Sequence, residues 1–212
     1  MQLRAAVLLL IAQCLAYAVI IDRIAIVIGN AIIKDSDIDR DIRVTSFLDN
    51  QPLDLSPAKR KEAVNHLIDQ VFIRREIRIG DYPVATAEEA DEQLNRLVKQ
   101  RFKTKAALDA ALSRYRLTEL DLRTQFQWQL TVLRFIDARF KPAVLISDQE
   151  IEKYYRQHQA ALARQYPGKT LDDLRDRIHD VLTAEAVNQQ FFAWLDEQRG
   201  NTKMKYLEES LQ

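Results

Sequence analysis

The sequence is poor in cysteine, histidine, glycine and proline. Its 212 residues include one cysteine, three histidines, four glycines and five prolines. One cysteine cannot form a disulfide framework, and so few cysteines and histidines do not support a structural zinc cluster. Sandwiches, barrels and Rossmann-type folds need many tight turns, which are usually built with glycine and proline. The sequence therefore predicts a helical protein with few loops.

Net charge is also lacking. Lysine and arginine number 31 and aspartate and glutamate number 31, so the formal net charge is zero. Nucleic-acid binders owe their affinity to clustered basic residues that release counterions, so we expect no nucleic-acid partner. The four glycines, Gly29, Gly80, Gly168 and Gly200, are too far apart to form a phosphate-binding loop, so we expect no nucleotide.

The N-terminus has the pattern of a secretory signal. A basic start and an apolar run over residues 5–16 precede the small residues Ala16 and Ala18. We predict a signal peptide over residues 1–18, a mature chain over residues 19–212, and export to the periplasm. Two alternatives are lipidation at the cysteine and retention of the segment as an anchor. The anchor is the only membrane contact that the sequence predicts.

Both ends of the mature chain show β-strand patterns. Residues 22–34 contain two Ile/Val-rich runs separated by Gly29-Asn30, which is typical of a hairpin. Residues 202–208 alternate large apolar residues with lysines, as a half-buried strand does. The sequence therefore predicts a small sheet that joins the two ends.

The chain between these strands is predicted to be helical. Most helices begin at a side chain that can accept hydrogen bonds from the free amides of the first turn. The expected caps are Ser36 (with Asp39), Ser56, Thr86 (with Glu89), Thr104, Thr118, Ser147 (with Glu150) and Thr170 or Asp172. The predicted helices cover residues 37–49, 57–79, 87–102, 105–114, 119–140 and 148–164, and a seventh ends before Gly200.

These elements predict a mainly α fold in one domain. A helical body over residues 36–164 is completed by a C-terminal helix and strand over residues 171–208. In the helix over residues 119–140, one apolar stripe consists of Leu122, Phe126, Leu130, Leu133, Ile136 and Phe140, and a second consists of Trp128, Val132 and Phe135. Either this helix is central in the core, or its second stripe lines a groove that a partner fills.

No catalytic or metal-binding constellation can be assembled from the sequence. A nucleophilic triad is missing, because the mature chain has no cysteine and no Gly-x-Ser-x-Gly turn. His66 lies near Asp69 and Gln70, which is more typical of a charged helix face than of a metal site. Arg74-Arg75 has acidic neighbours and is expected to be a solvated face. We therefore predict a protein that is not an enzyme and that uses no cofactor or metal.

The order of the elements resembles the N-terminal chaperone domain of the SurA-type periplasmic chaperones. The supporting segments are DRIAIVIGNAII over residues 22–33, SDID over 36–39, LIDQ over 67–70 and ISDQEIEKYY over 146–155. In that family a C-terminal helix and strand return to complete the N-terminal module. The resemblance implies the same role here for residues 171–208.

The sequence departs from that family where its full-length members insert parvulin domains. Here only residues 165–169 separate the predicted helix over residues 148–164 from the seventh helix. The resemblance thus implies an ATP-independent holdase without prolyl isomerase activity, whose partners are unfolded exported polypeptides such as outer-membrane proteins. The alternative is an envelope interaction or assembly module with one dedicated partner. The candidate peptide contacts are large side chains on possible second faces: Phe47, Phe72, Trp128, Phe135 and Phe191.

Overall fold

The computed structural model describes residues 22–208 and Leu211, so the predicted signal peptide lies outside the described residues. Within them the protein is mainly α-helical with a small antiparallel sheet, as the sequence predicts. The elements are β1 (Ile24–Ile28), β2 (Ala31–Lys34), α1 (Asp35–Leu48), α2 (Pro57–Ile79), α3 (Ala87–Leu97), α4 (Lys105–Tyr115), α5 (Glu119–Phe140), α6 (Asp148–Gln165), α7 (Leu171–Asn201) and β3 (Met204–Tyr206). None of these helices is long and apolar enough to cross a membrane.

The sheet joins the two ends of the described chain, as predicted. Its strand order is β2-β1-β3, and both neighbours of β1 are antiparallel to it. Ile26 pairs with Ile33 on one side and with Tyr206 on the other. Gly29 turns the hairpin at a φ of 55°, a conformation that glycine adopts without a steric penalty.

Most predicted helix caps are confirmed. Thr86 is typical: its amide donates to the Glu89 carboxylate at 2.9 Å, and its hydroxyl accepts from the Glu89 amide at 3.3 Å. Reciprocal capping of this kind satisfies two otherwise free amides. The same arrangement begins α5, α6 and α7, at Thr118, Ser147 and Thr170.

The predicted cap at Ser36 is wrong. Helix α1 begins at Asp35, two residues earlier than predicted, and the Ser36 hydroxyl donates to Asp22 at 2.6 Å. The Asp37 carboxylate accepts from the amide of Lys34 at 3.0 Å instead. The hydrogen bonds to Asp22 draw Ser36 toward the start of the hairpin, away from a capping role.

Helix α7 also differs from the prediction, because it continues through Gly200 to Asn201. Glycine is a poor helix former. Here the last turn is held by Arg199, which contacts the Asp69 carboxylate at 2.7 Å and donates to the backbone oxygen of Asn65 at 2.9 Å. These contacts with α2 offset the low helix propensity of Gly200.

Buried side chains divide the described chain into two regions. The main cluster contains twenty buried residues: nineteen from the sheet, α1, α2, α5 and the C-terminal half of α7, together with Leu211. A second cluster joins α1, α3, α4 and α5. The body is the part of the protein that forms these two clusters: the sheet, α1 to α5, and α7 from Val187 onward. The arm consists of α6 and of α7 up to Leu182, and its own cluster contains Ile151, Leu174 and Ile178.

Candidate functional site

An open groove with a volume of about 1000 Å³ lies on the body. Its walls are the hairpin turn with β2, α1, the C-terminal half of α2 and the first turns of α5. Concave surfaces of this size that mix apolar and polar side chains are typical of binding sites. This groove is the candidate site.

One face of α2 forms a wall of the groove. Lining residues recur along it at spacings of three or four, from Leu67 through Arg74 to Arg78, as a single face of a helix requires. The two arginines alternate with apolar residues such as Val71 and Ile79. The solvated face predicted at Arg74-Arg75 is therefore one wall of this groove.

Three large aliphatic side chains are exposed in the groove, and they come from three different elements. Ile32 on β2 is 46% exposed, Ile79 at the end of α2 is 72% exposed, and Leu120 in the first turn of α5 is 68% exposed. Sequence reasoning missed them. Strand alternation could have identified Ile32, because its neighbour Ile33 is only 3% exposed and points into the core.

The arginines of the α2 wall lack acidic partners. The Arg74 guanidinium lies over the Trp128 ring, 3.8 Å from its centre, and donates to the Gln70 side chain at 3.3 Å. Desolvation lowers the pKa of Arg74 from its ordinary value, yet arginine remains charged at neutral pH. Arg75 donates to Gln198 at 2.6 Å. Among residues 22–208, no carboxylate lies within ion-pair distance of Arg74, Arg75 or Arg78.

The carboxylates of the groove, in contrast, are already engaged. Asp41, whose side chain is 10% exposed, contacts the His66 ring at 2.9 Å and accepts from Gln70 at 3.4 Å. The hydrogen bond that the His66 ring donates to the Asp41 carboxylate raises the pKa of His66, against the opposing effect of desolvation. The Asp41 carboxylate is therefore already hydrogen-bonded to protein side chains.

The other two lining carboxylates have similar roles. Asp37 accepts from the Lys34 amide, and Asp121 caps α5 by accepting from the Thr118 amide at 2.8 Å. Asp121 also lies 3.6 Å from the Arg40 guanidinium. The groove therefore presents unpaired arginines and paired aspartates to a ligand.

The five side chains predicted as peptide contacts lie elsewhere. Phe47, Phe72 and Phe135 are 0% exposed, and Trp128 and Phe191 are each 9% exposed. Four of them belong to the main core cluster, whereas Phe47 belongs to the cluster of α1, α3, α4 and α5. Rings buried to this extent offer little surface to a peptide, and their role as peptide contacts stays a prediction. Two of these rings lie beneath groove arginines: the Arg74 guanidinium is 3.8 Å from the centre of the Trp128 ring, and that of Arg75 is 5.5 Å from the centre of the Phe72 ring.

The structure also resolves the question of the two apolar stripes on α5. Phe135, from the second stripe, packs against Tyr82, Phe140 and Trp194 with ring centres 5.0, 5.8 and 5.6 Å apart. Leu133, from the first stripe, is 60% exposed. The second stripe therefore faces the core. Of the two alternatives, the structure supports the one in which this helix is central in the core.

No family model matches the sequence, and no curated protein is significantly similar to it. The fold defines a mainly α-helical protein with a small sheet and an open groove. The resemblance to SurA-type chaperones stays a prediction. Across the part of the chain that the structure describes, no group of three or more histidine, cysteine, aspartate or glutamate side chains is placed to hold a metal ion.

Proposed function

We propose that this protein is an ATP-independent periplasmic holdase that binds unfolded exported polypeptides, outer-membrane proteins among them, in the groove between the hairpin, α1, α2 and α5. The exposure of Ile32, Ile79 and Leu120 within one concave surface carries the proposal. Exposed apolar side chains on the walls of a groove are a mark of binding surfaces. The proposal needs no nucleotide, cofactor or catalytic step.

The physical logic of a holdase fits such a surface. A protein that binds the unfolded state lowers its free concentration by mass action, without an energy source. Aliphatic contacts demand shape and apolarity rather than a particular sequence, which suits many clients. The charged walls keep the empty groove soluble.

The test is light scattering of a chemically unfolded outer-membrane protein diluted into buffer with and without the purified protein. We expect suppression of aggregation near equimolar amounts. Leu120→Ser is expected to weaken it severalfold, because the variant removes an apolar contact from the groove. Leu133→Ser is the matched control, since Leu133 lies on the same helix, is similarly exposed and does not line the groove. Absence of suppression, or equal losses in both variants, contradicts the proposal.

A second candidate function is an assembly module for one dedicated envelope partner. Two exposed apolar residues outside the groove favour it: Phe192 is 60% exposed and Leu145 is 90% exposed. If they form its interface, Phe192→Ser abolishes capture of a single partner in a pull-down while groove variants do not. No client suppression should then be seen at any ratio.

A further inference from the structure

The arginines of the α2 wall have a spacing that an extended chain can match. Arg74 and Arg78 are four residues apart on α2, which is a separation of about 6 Å along the helix axis. Alternate residues of an extended chain lie on one side at intervals of about 6.7 Å. Side chains at positions i and i+2 of a bound segment can therefore meet both arginines.

These arginines are available to a ligand. Carboxylates that line the groove are used by Lys34, His66, Gln70, Thr118 and Arg40, whereas Arg74 and Arg78 have no acidic partner within residues 22–208. Guanidinium groups form paired, charge-assisted hydrogen bonds with carboxylates. The ring of Trp128 already holds the plane of Arg74, so little side-chain freedom is lost on binding.

The other walls supply apolar contacts. Ile32 on β2 and Leu120 on α5 face the groove with about half or more of their surface exposed. In an extended segment, the side chains that do not face the arginines point to the opposite side. If they are apolar, they can contact Ile32 and Leu120. A phosphate backbone satisfies only the arginines, so the combination favours a polypeptide over a nucleic acid.

We propose that the groove selects extended client segments in which carboxylate and large apolar side chains alternate. The carboxylates bind Arg74 and Arg78, and the apolar side chains contact Ile32 and Leu120. This inference rests on the proposed holdase function and names its substrate class.

The test is fluorescence anisotropy with three labelled twelve-residue peptides in which leucine alternates with glutamate, glutamine or lysine. We expect the glutamate peptide to bind at least fivefold more tightly than the glutamine peptide and the lysine peptide to bind most weakly. Added salt should reduce the preference for glutamate, because partly exposed charges are screened.

The matched variants are Arg78→Gln and Arg156→Gln. Both arginines are exposed and have no ion pair within residues 22–208, but Arg156 lies on the arm. Arg78→Gln should reduce the ratio of glutamine-peptide Kd to glutamate-peptide Kd about twofold, because Arg74 remains to bind one carboxylate. Arg156→Gln should leave that ratio unchanged.

Several outcomes overturn the inference. Equal binding of the glutamate and glutamine peptides, or equal effects of the two variants, removes the preference for carboxylates. Displacement of the glutamate peptide by equimolar oligothymidylate assigns the arginines to a phosphate ligand instead. In these cases the proposed holdase function stands if aggregation is still suppressed, whereas loss of suppression as well removes both proposals.

Discussion

Twenty buried side chains form the main core of the body, whereas three, Ile151, Leu174 and Ile178, are buried in the arm. The body is packed from several directions, by helices on both sides of α5 and by the sheet. The arm is a pair of helices that bury one seam against each other. Apolar burial dominates folding energetics, so this difference predicts a stable body and a locally unstable arm.

Polar contacts in the arm do not compensate for its smaller buried apolar core. Arg175 of the arm lies 2.7 Å from the Asp148 carboxylate, but the Asp148 side chain is 80% exposed. Arg177 donates to the Tyr166 hydroxyl at 2.7 Å, also in an exposed setting. Exposed ion pairs contribute at most about 1 kcal/mol each. The arm therefore depends on α7, whose 31 residues run from the arm into the core of the body.

The largest expected effect is in the body. Phe135→Ala should lower the free energy of unfolding by about 3–5 kcal/mol, because a fully buried ring leaves a cavity between Tyr82 and Trp194. Urea denaturation followed by circular dichroism measures the change. Phe192→Ala is the control, since that ring is 60% exposed and should cost far less. Similar losses in both variants contradict the packing described for α5.

The matching change in the arm should be local. Ile178→Ala removes a side chain that is 1% exposed, at a cost to the local opening free energy of about 2–4 kcal/mol. Both tryptophans, Trp128 and Trp194, lie in the body, so their fluorescence reports unfolding of the body alone. We expect that midpoint to stay nearly unchanged while amide exchange in α6 becomes faster. A large shift of the fluorescence midpoint would show that the two regions unfold together.

Helix caps allow a smaller and better matched comparison. Thr118 caps α5 in the body and Thr170 caps α7 in the arm, each by the same reciprocal hydrogen bonds. Thr118→Ala should destabilise the whole body by about 1 kcal/mol, measured by tryptophan fluorescence in urea. Thr170→Ala should leave that signal unchanged and accelerate amide exchange only in the arm. Equal effects on the fluorescence midpoint refute the separation of the two regions.

How much of the structure the sequence predicts depends on the range of the interactions involved. Caps such as Thr86 and Ser147 are local, because the cap and its partner are three residues apart, and they are correctly predicted. The end of α7 is not, because Arg199 reaches Asp69 and Asn65 across 130 or more residues. Strand patterns at the two ends identify the sheet, since each is a local alternation.

The candidate groove is harder to predict for the same reason. The apolar face of Phe135 is visible in the sequence, but whether that face meets a partner or another helix depends on tertiary packing. Arg74 has acidic neighbours in sequence, yet its nearest contacts are Gln70 and Trp128. Only the fold brings Leu120 to the same groove, from a helix that begins about forty residues after the end of α2.

The smallest expected effect is a pH dependence confined to the body. Asp41 raises the pKa of His66 above its ordinary value near 6.5, so the charged imidazolium is favoured in the folded state. The resulting stabilisation is fully present below the unfolded pKa and is lost as the pH rises through the folded pKa. The side chain of His66 is 47% exposed, so solvent screening keeps the contribution small. Tryptophan fluorescence in urea between pH 5.5 and 8.5 should show wild type losing this advantage over His66→Gln as the pH rises. Titration of the His66 ring by NMR should show its pKa falling in Asp41→Asn; an unchanged pKa would mean that Asp41 does not stabilise the imidazolium.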